Sequence, residues 1–293
     1  MKIVFKGIES GAGLTSSACA LAVLNTIKGY GKTIIMQHKS AGNDLKKMLT
    51  DAAKVKRVEE ASNYYVLEGM DYLIWNCENG SLNRNVVDEV LVPVVDKRLY
   101  YLPSGERLAP DLYPEKTAEC EALVLTELEK MADNVFIDCG TACDEFTRAV
   151  TAEADLIINA LPQKEEVLNG FFINSGRNDK RNVYLFSNYD SKSVLNLKNL
   201  SRIYRIPTDR ICAIPGNNSF MLALSKGNIK GFIEKNLTRA LNVRNEVFMT
   251  DLKNAFEIMN RAVNVDAVIR DGDFGLCGAY KEPYKRNLKR KFV

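Results

Sequence analysis

The stretch Gly7-Ile8-Glu9-Ser10-Gly11-Ala12-Gly13-Leu14-Thr15-Ser16 decides how the rest of this chain is read. It lies between a short apolar run, Lys2 to Phe5, and an apolar segment from Ser17 to Ile27, which is the strand, loop and helix context of a phosphate cradle. Such a loop turns consecutive backbone N–H groups toward phosphate oxygens, a geometry that side chains obstruct and that Gly11 and Gly13 leave open. In an ordinary phosphate loop the last glycine is followed by a lysine that reaches the β- and γ-phosphates, then by a Ser or Thr whose hydroxyl binds Mg²⁺. Here Leu14 stands at the lysine position while Thr15 keeps the hydroxyl, so the loop predicts a nucleotide scaffold with weak or absent hydrolysis.

Length and composition set the frame around that loop. The chain has 293 residues, 46% of them hydrophobic, enough to bury one large α/β core or two modest ones without special devices. Forty basic against 37 acidic residues give a formal net charge of +3, which exerts no global pull toward nucleic acid, so any electrostatic targeting is local. Neither a signal-peptide pattern nor an apolar run of about 18 residues occurs, and a cytoplasmic protein is expected. Seven cysteines, at 19, 77, 120, 139, 143, 212 and 277, are odd in number and scattered, which predicts reduced thiols and no structural disulfide.

Apolar runs alternate with amphipathic segments along the chain, the pattern of βα units around a mainly parallel sheet. Strands are expected at Lys2–Phe5, Thr33–Gln37, Leu99–Leu102, Val135–Cys139, Leu156–Ala160, Val183–Ser187 and Ile211–Ile214. Helices are expected at roughly 13–28, 43–55, 84–92, 115–132, 144–152, 163–176, 191–204, 219–235 and 246–263, with apolar faces such as Leu123, Leu125, Leu128 and Met131 turned to the sheet. The fold expected is α/β: a three-layer arrangement of a mainly parallel twisted β-sheet with helices on both faces, the P-loop NTPase fold. It would occupy residues 1–265, with 266–293 as a C-terminal appendage.

The order of these segments resembles the ParA/MinD family of P-loop ATPases, whose deviant Walker A motif reads roughly GKGGxGKTT. Ile8 to Ser16 takes the place of that motif: Gly11, Gly13, Thr15 and Ser16 agree with it, whereas Glu9 replaces the signature lysine, Ser10 a glycine and Leu14 the Walker lysine. After the second strand the family shows LxDxDPQGN. The corresponding stretch Ile35-Met36-Gln37-His38-Lys39-Ser40-Ala41-Gly42-Asn43 keeps the Gly-Asn pair and replaces both acidic positions, with Gln37 and Lys39. Val94 to Ser104 resembles the next core strand, Phe136-Ile137-Asp138-Cys139-Gly140 the Walker B strand and switch, and Phe186-Ser187-Asn188-Tyr189-Asp190 the strand ending in the adenine-reading Asn. Ala213-Ile214-Pro215-Gly216-Asn217 resembles the loop that closes over the base.

The resemblance implies a nucleotide site at Gly11, Ala12, Gly13, Leu14, Thr15, Ser16, Asn188 and Pro215, with Thr15 and Asp138 holding Mg²⁺ beside ATP or ADP. It also implies a homodimer. The residues that read the base and hold Mg²⁺ match, and those that stabilise charge on the transferred phosphoryl do not. The reading is therefore a nucleotide-binding spatial regulator or scaffold that positions a pilus or secretion machine, a septum or a plasmid through a protein partner, with no catalytic residue assigned. The degenerate loop is similar to that of the TadZ/CpaE pilus-localisation branch; the receiver-like domain of that branch is expected to be missing, because the loop opens within ten residues of Met1. The alternative is an active ATPase of the partition or metallocentre type that uses a substitute lysine, Lys6 or Lys39.

Other candidates carry less. Glu9 would repel phosphate unless a basic residue pairs with it. His38 reads as a strand-end residue, Cys139 and Cys143 as thiols flanking the switch, and Tyr72, Leu73, Ile74 and Trp75 as core or interface. In the C-terminal stretch, a helix opened by Pro283 would align Tyr284, Leu288 and Phe292 on one face among Lys285, Arg286, Lys289, Arg290 and Lys291. This is similar to the tail by which MinD-type proteins bind anionic membrane, where each basic residue contributes about 1 kcal/mol. It would place the protein peripherally at the inner face of the cell membrane; a disordered tail, or one binding DNA or a partner, is the alternative.

Overall fold

Short runs of almost uninterrupted apolar residues form the strands, because a parallel strand flanked by helices is buried on both faces. The structure, a computed structural model, describes residues 1–38, 44–50, 69–95, 97–104, 113–174, 179–239 and 242–272. In chain order the elements begin with β1 (Lys2–Gly7), α1 (Leu14–Ile27), β2 (Thr33–Gln37), α2 (Asp44–Leu49), α3 (Gly69–Glu78), α4 (Arg84–Val90), β3 (Val92–Val95) and β4 (Leu99–Leu102). Then come α5 (Tyr113–Met131), β5 (Asn134–Asp138), α6 (Glu145–Ala152), β6 (Leu156–Leu161), α7 (Glu165–Asn174) and β7 (Asn182–Tyr189). The last are α8 (Leu197–Tyr204), β8 (Ile211–Pro215), α9 (Asn218–Ser225), α10 (Ile229–Thr238) and α11 (Val243–Gly272).

The eight strands form one sheet in the order β3-β4-β2-β5-β1-β6-β7-β8. All neighbours are parallel except β3 and β4, an antiparallel pair. Alternation along each strand divides the core. Ile3, Phe5, Phe136, Ile158 and Leu185 face α1, α9, α10 and α11, while Val4, Ile34, Val135 and Ile137 face α3, α4, α5 and α6. A third cluster of Leu161, Phe172, Tyr184, Phe186 and Tyr204 fills the space under α7 and α8. This is the three-layer α/β fold that the sequence implies.

Helix α1 is buried from Ser17 to Thr26, including its polar Asn25, which donates to the Thr33 hydroxyl at 3.0 Å. Such all-round burial explains its uniformly apolar sequence. Its position under the sheet fixes where the loop ahead of it can go.

Several boundaries differ from those expected. The span 219–235 is two helices, α9 and α10, because Asn228 caps the second by accepting from the Gly231 N–H at 3.2 Å. Helix α8 starts at Leu197, where Asn196 accepts from the Asn199 N–H at 3.1 Å. Strand β4 has the bounds expected, Leu99–Leu102, but Val92–Val95 ahead of it forms β3, an antiparallel partner that was not expected, and Lys97 between them is at φ 60°. Helix α11 begins at Val243 and runs through position 265 to Gly272. Leu123, grouped with its helical neighbours by sequence, is 55% exposed, and Trp75 is 50% exposed and stacked on Tyr72, while Leu73 and Ile74 are buried. Both exposed residues lie off the core-facing stripe of their helices. Six cysteines fall among the described residues, all free thiols. Residues 39–43 and 273–293, and with them Lys39 and the basic tail expected at Tyr284, Lys285, Arg286, Leu288, Lys289, Arg290 and Phe292, lie outside the described residues.

Phe5 and Phe136, on adjacent central strands, are fully buried with ring centroids 5.4 Å apart. Phe136→Ala is expected to cost about 3–5 kcal/mol by opening a cavity there, measurable as a lowered urea midpoint.

Candidate functional site

The register of the sheet assembles the site. On neighbouring strands, Gln37 lies opposite Asp138 and Asp138 opposite Phe5, so three strands end together at the carboxyl edge of the sheet. The loop after β1 folds over that edge, and its Gly7 N–H donates to the Gly140 carbonyl at 2.7 Å. Gly11 and Gly13 both adopt positive φ, 81° and 72°. At Gly13 a Cβ would meet the Ser187 Cβ at 2.9 Å, so only glycine fits. Ser17 and Ser187 seal the approach with a hydroxyl contact of 2.8 Å.

Gly13 is also the N-cap of α1, with no side-chain cap and no acidic residue in the first turn. The first N–H groups of this helix therefore lack the usual side-chain acceptor and have the polarity that suits an anion. Thr15 Oγ1 donates to Asp138 Oδ2 at 2.6 Å, and the Gly140 N–H holds Asp138 Oδ1 at 2.9 Å. Gln37 Nε2 donates to the same Asp138 oxygen at 3.2 Å. Burial pushes the Asp138 carboxyl above its ordinary range, opposed by these three donors.

A cavity of about 560 Å³ opens over this floor, lined by the loop from Glu9 to Ser16, by Gln37, His38, Asp44 and Met48, and by Cys139 to Ala142 with Asp144. None of the described residues lining it is a lysine or arginine. Leu14 is 7% exposed and packs in the core cluster on the α1 side of the sheet. Glu9, at the signature-lysine position, accepts a hydrogen bond from Lys164 Nζ at 2.6 Å; this is the basic partner that sequence alone does not identify, 155 residues away.

His38 is the residue that sequence reasoning missed. Its ring is buried against Phe146, with Nδ1 3.0 Å from Glu121 Oε1 and Nε2 2.7 Å from Asp144 Oδ2. Burial alone would lower its pKa, but the two carboxylates outweigh it and hold the imidazole above its ordinary value. Burial raises Glu121 to about 7. Asp144, despite burial that works the other way, is held below its ordinary range by His38 and by its capping bond from the Thr147 N–H. The partners lie 83 and 106 residues from His38, so no local spacing announces them.

No protein-family profile matches the chain, and no curated protein matches it in sequence. Solved structures do match its fold. A ParA family ATPase from Chlorobium tepidum TLS superposes with a TM-score of 0.62 at 13% identity, covering 89% of this chain and 98% of that one. The chain has the ParA/MinD fold. A septum site-determining protein MinD from Pyrococcus horikoshii OT3, complexed with Mg-ADP, matches with a TM-score of 0.59 at 11% identity over 92% of this chain and 98% of that one. A plasmid partition protein from Borrelia burgdorferi B31, bound to AMPPNP, gives 0.59 at 17% identity over 89% and 98%.

Within the ParA/MinD fold, the residues expected to bind nucleotide divide into two groups. Gly11, Ala12, Gly13, Leu14, Thr15 and Ser16 line the cavity, with Asp138 beneath them, bound to Thr15. Asn188, exposed at φ 55°, and half-buried Pro215 end β7 and β8 and do not line it; they meet at Gly216, where a Cβ would sit 3.1 Å from Asn188 Oδ1. The backbone cradle suits phosphate. The hydroxyl of Thr15 and the carboxylate of Asp138 are hard oxygen donors that suit Mg²⁺ when phosphate oxygens complete its shell. Among the described residues no group of three or more His, Cys, Asp or Glu is arranged to hold a metal ion by itself. Cys139 is buried and its thiol pushed far up, whereas Cys143 is exposed.

The buried carboxylate–imidazole pair gives a pH test. Both His38 and Glu121 are raised in the folded chain, Glu121 from 4.5 to about 7, so the folded state holds more protons than the unfolded one across this window. Stability is therefore expected to fall as pH rises from about 5 to 8. Urea midpoints should decline over that range in the native protein, and Glu121→Gln should flatten the decline.

Proposed function

We propose that this chain is a nucleotide-binding spatial regulator or scaffold with weak or absent ATP hydrolysis. The observation that carries the reading is the split inside the cavity. The backbone cradle, the Thr15 hydroxyl and Asp138 are in place, while Leu14 is packed into the core and no lysine or arginine is found among the described residues that line the cavity. Phosphoryl transfer depends on positioning and on preorganised positive charge, and losing one such donor typically costs on the order of 10²–10³ in rate. ATP or ADP would be held by the loop N–H groups, with Thr15 and Asp138 as the Mg²⁺ side of the site and Asn188 and Pro215 at the base.

The similar structures support the same direction, since they include a plasmid partition protein bound to AMPPNP and a septum site-determining protein complexed with Mg-ADP. The role that follows is positioning of a plasmid, a septum or a pilus or secretion machine, by a homodimer that engages a protein partner. A TadZ/CpaE-like pilus role and contact of the basic stretch at 283–293 with an anionic membrane belong to this reading. No helix among the described residues is long and apolar enough to cross a membrane.

The test is titration of purified protein with fluorescent ATP and ADP in Mg²⁺, followed by phosphate release on the same sample. Saturable binding with negligible release is expected. Steady-state turnover equal to that of active ATPases of this fold would overturn the reading.

A further inference from the structure

We infer that Lys164 is a cation with which this cleft grips the terminal phosphates of a nucleotide, and that Glu9 competes with the ligand for it. The inference rests on the nucleotide-binding reading above and names the residue that makes such binding electrostatically feasible. Glu9 lines the cavity within the phosphate loop, and a polyanion entering there meets repulsion unless a positive charge answers it. The imidazole of His38, which also lines the cavity, is already engaged by Glu121 and Asp144. Leu14 is neutral and buried. Lys6 follows Phe5 on β1, on the face shared with Val4 and turned away from α1.

Lys164 is differently placed. Strand β6 runs beside β1 with Ala160 opposite Gly7, so the chain leaving β6 emerges level with the phosphate loop. Lys164 lies in that exit, immediately before α7. Its Nζ is 2.6 Å from Glu9 Oε2, and Glu9 lines the cavity, so the ammonium sits at the rim. The Lys164 side chain is 63% exposed, and its four-carbon stem leaves it free to exchange one oxygen partner for another. A triphosphate carries several negative charges against the single charge of Glu9. With ligand present, the ammonium transfers from carboxylate to phosphate; without it, Glu9 keeps the lysine folded against the loop.

The test measures binding of ATP and of adenosine to the full chain, carrying Glu9→Gln, Lys164→Ala, Lys164→Arg, or Glu9→Gln with Lys164→Ala. Glu9→Gln is expected to tighten ATP severalfold. Adding Lys164→Ala in that background should then weaken ATP by about tenfold or more, the scale of one charge-assisted hydrogen bond. Adenosine affinity should stay constant throughout, and Lys164→Arg should retain ATP binding. Equal ATP affinity for Glu9→Gln with and without Lys164, all variants melting alike, overturns the assignment of Lys164 while leaving nucleotide binding intact. Absence of ATP and adenosine binding in every form, including the native chain, overturns the nucleotide reading itself and this assignment with it.

Discussion

The closeness of the loop to β7 is the constraint from which the site is built. Strand β6 lies between β1 and β7, yet Gly13, at the end of the loop that follows β1, comes against Ser187 near the end of β7. That passage is open only to a residue without a side chain in the left-handed region, and the hydroxyl contact between Ser17 and Ser187 holds it shut. Because α1 starts at this point and is buried along most of its length, the position of Gly13 also sets the depth of Thr15 and hence its contact with Asp138. A larger residue would displace the helix start, the hydroxyl and the floor of the cavity together.

Glycines and charges in this loop answer to different pressures. Gly13 serves packing as well as any ligand, because a Cβ there would meet Ser187. The lysine of an ordinary phosphate loop serves only the ligand, and its replacement by Leu14 adds an apolar side chain to the core.

Much of the fold was legible in sequence because strands such as Leu156–Leu161 and helices such as α1 carry unbroken apolar signals. Strand β4 was read at Leu99–Leu102, but its antiparallel partner β3 was not, since a strand of four residues that includes Pro93 leaves no periodicity to read. Helices α9 and α10 merged in the expected span 219–235 because the break between them is short, a left-handed Gly227 followed by the Asn228 cap. The phosphate loop and Thr15 were visible through local spacing, and Asp138 through the resemblance of its strand to a Walker B segment. The partnership of His38 with Glu121 and Asp144, and of Glu9 with Lys164, was invisible, because each joins residues that only the tertiary fold brings together.

The two margins of the sheet are finished differently. On one side, β8 lies against the long helix α11. On the other, the short outer strand β3 carries Pro93, exposed and unable to offer an N–H, and the hairpin closes through Lys97 and Arg98. An open strand is a template on which a neighbouring molecule can extend the sheet, and short length, proline and nearby positive charge each discourage that. The hairpin that interrupts the parallel order thus acts as a guard against edge-to-edge aggregation at this margin of the sheet.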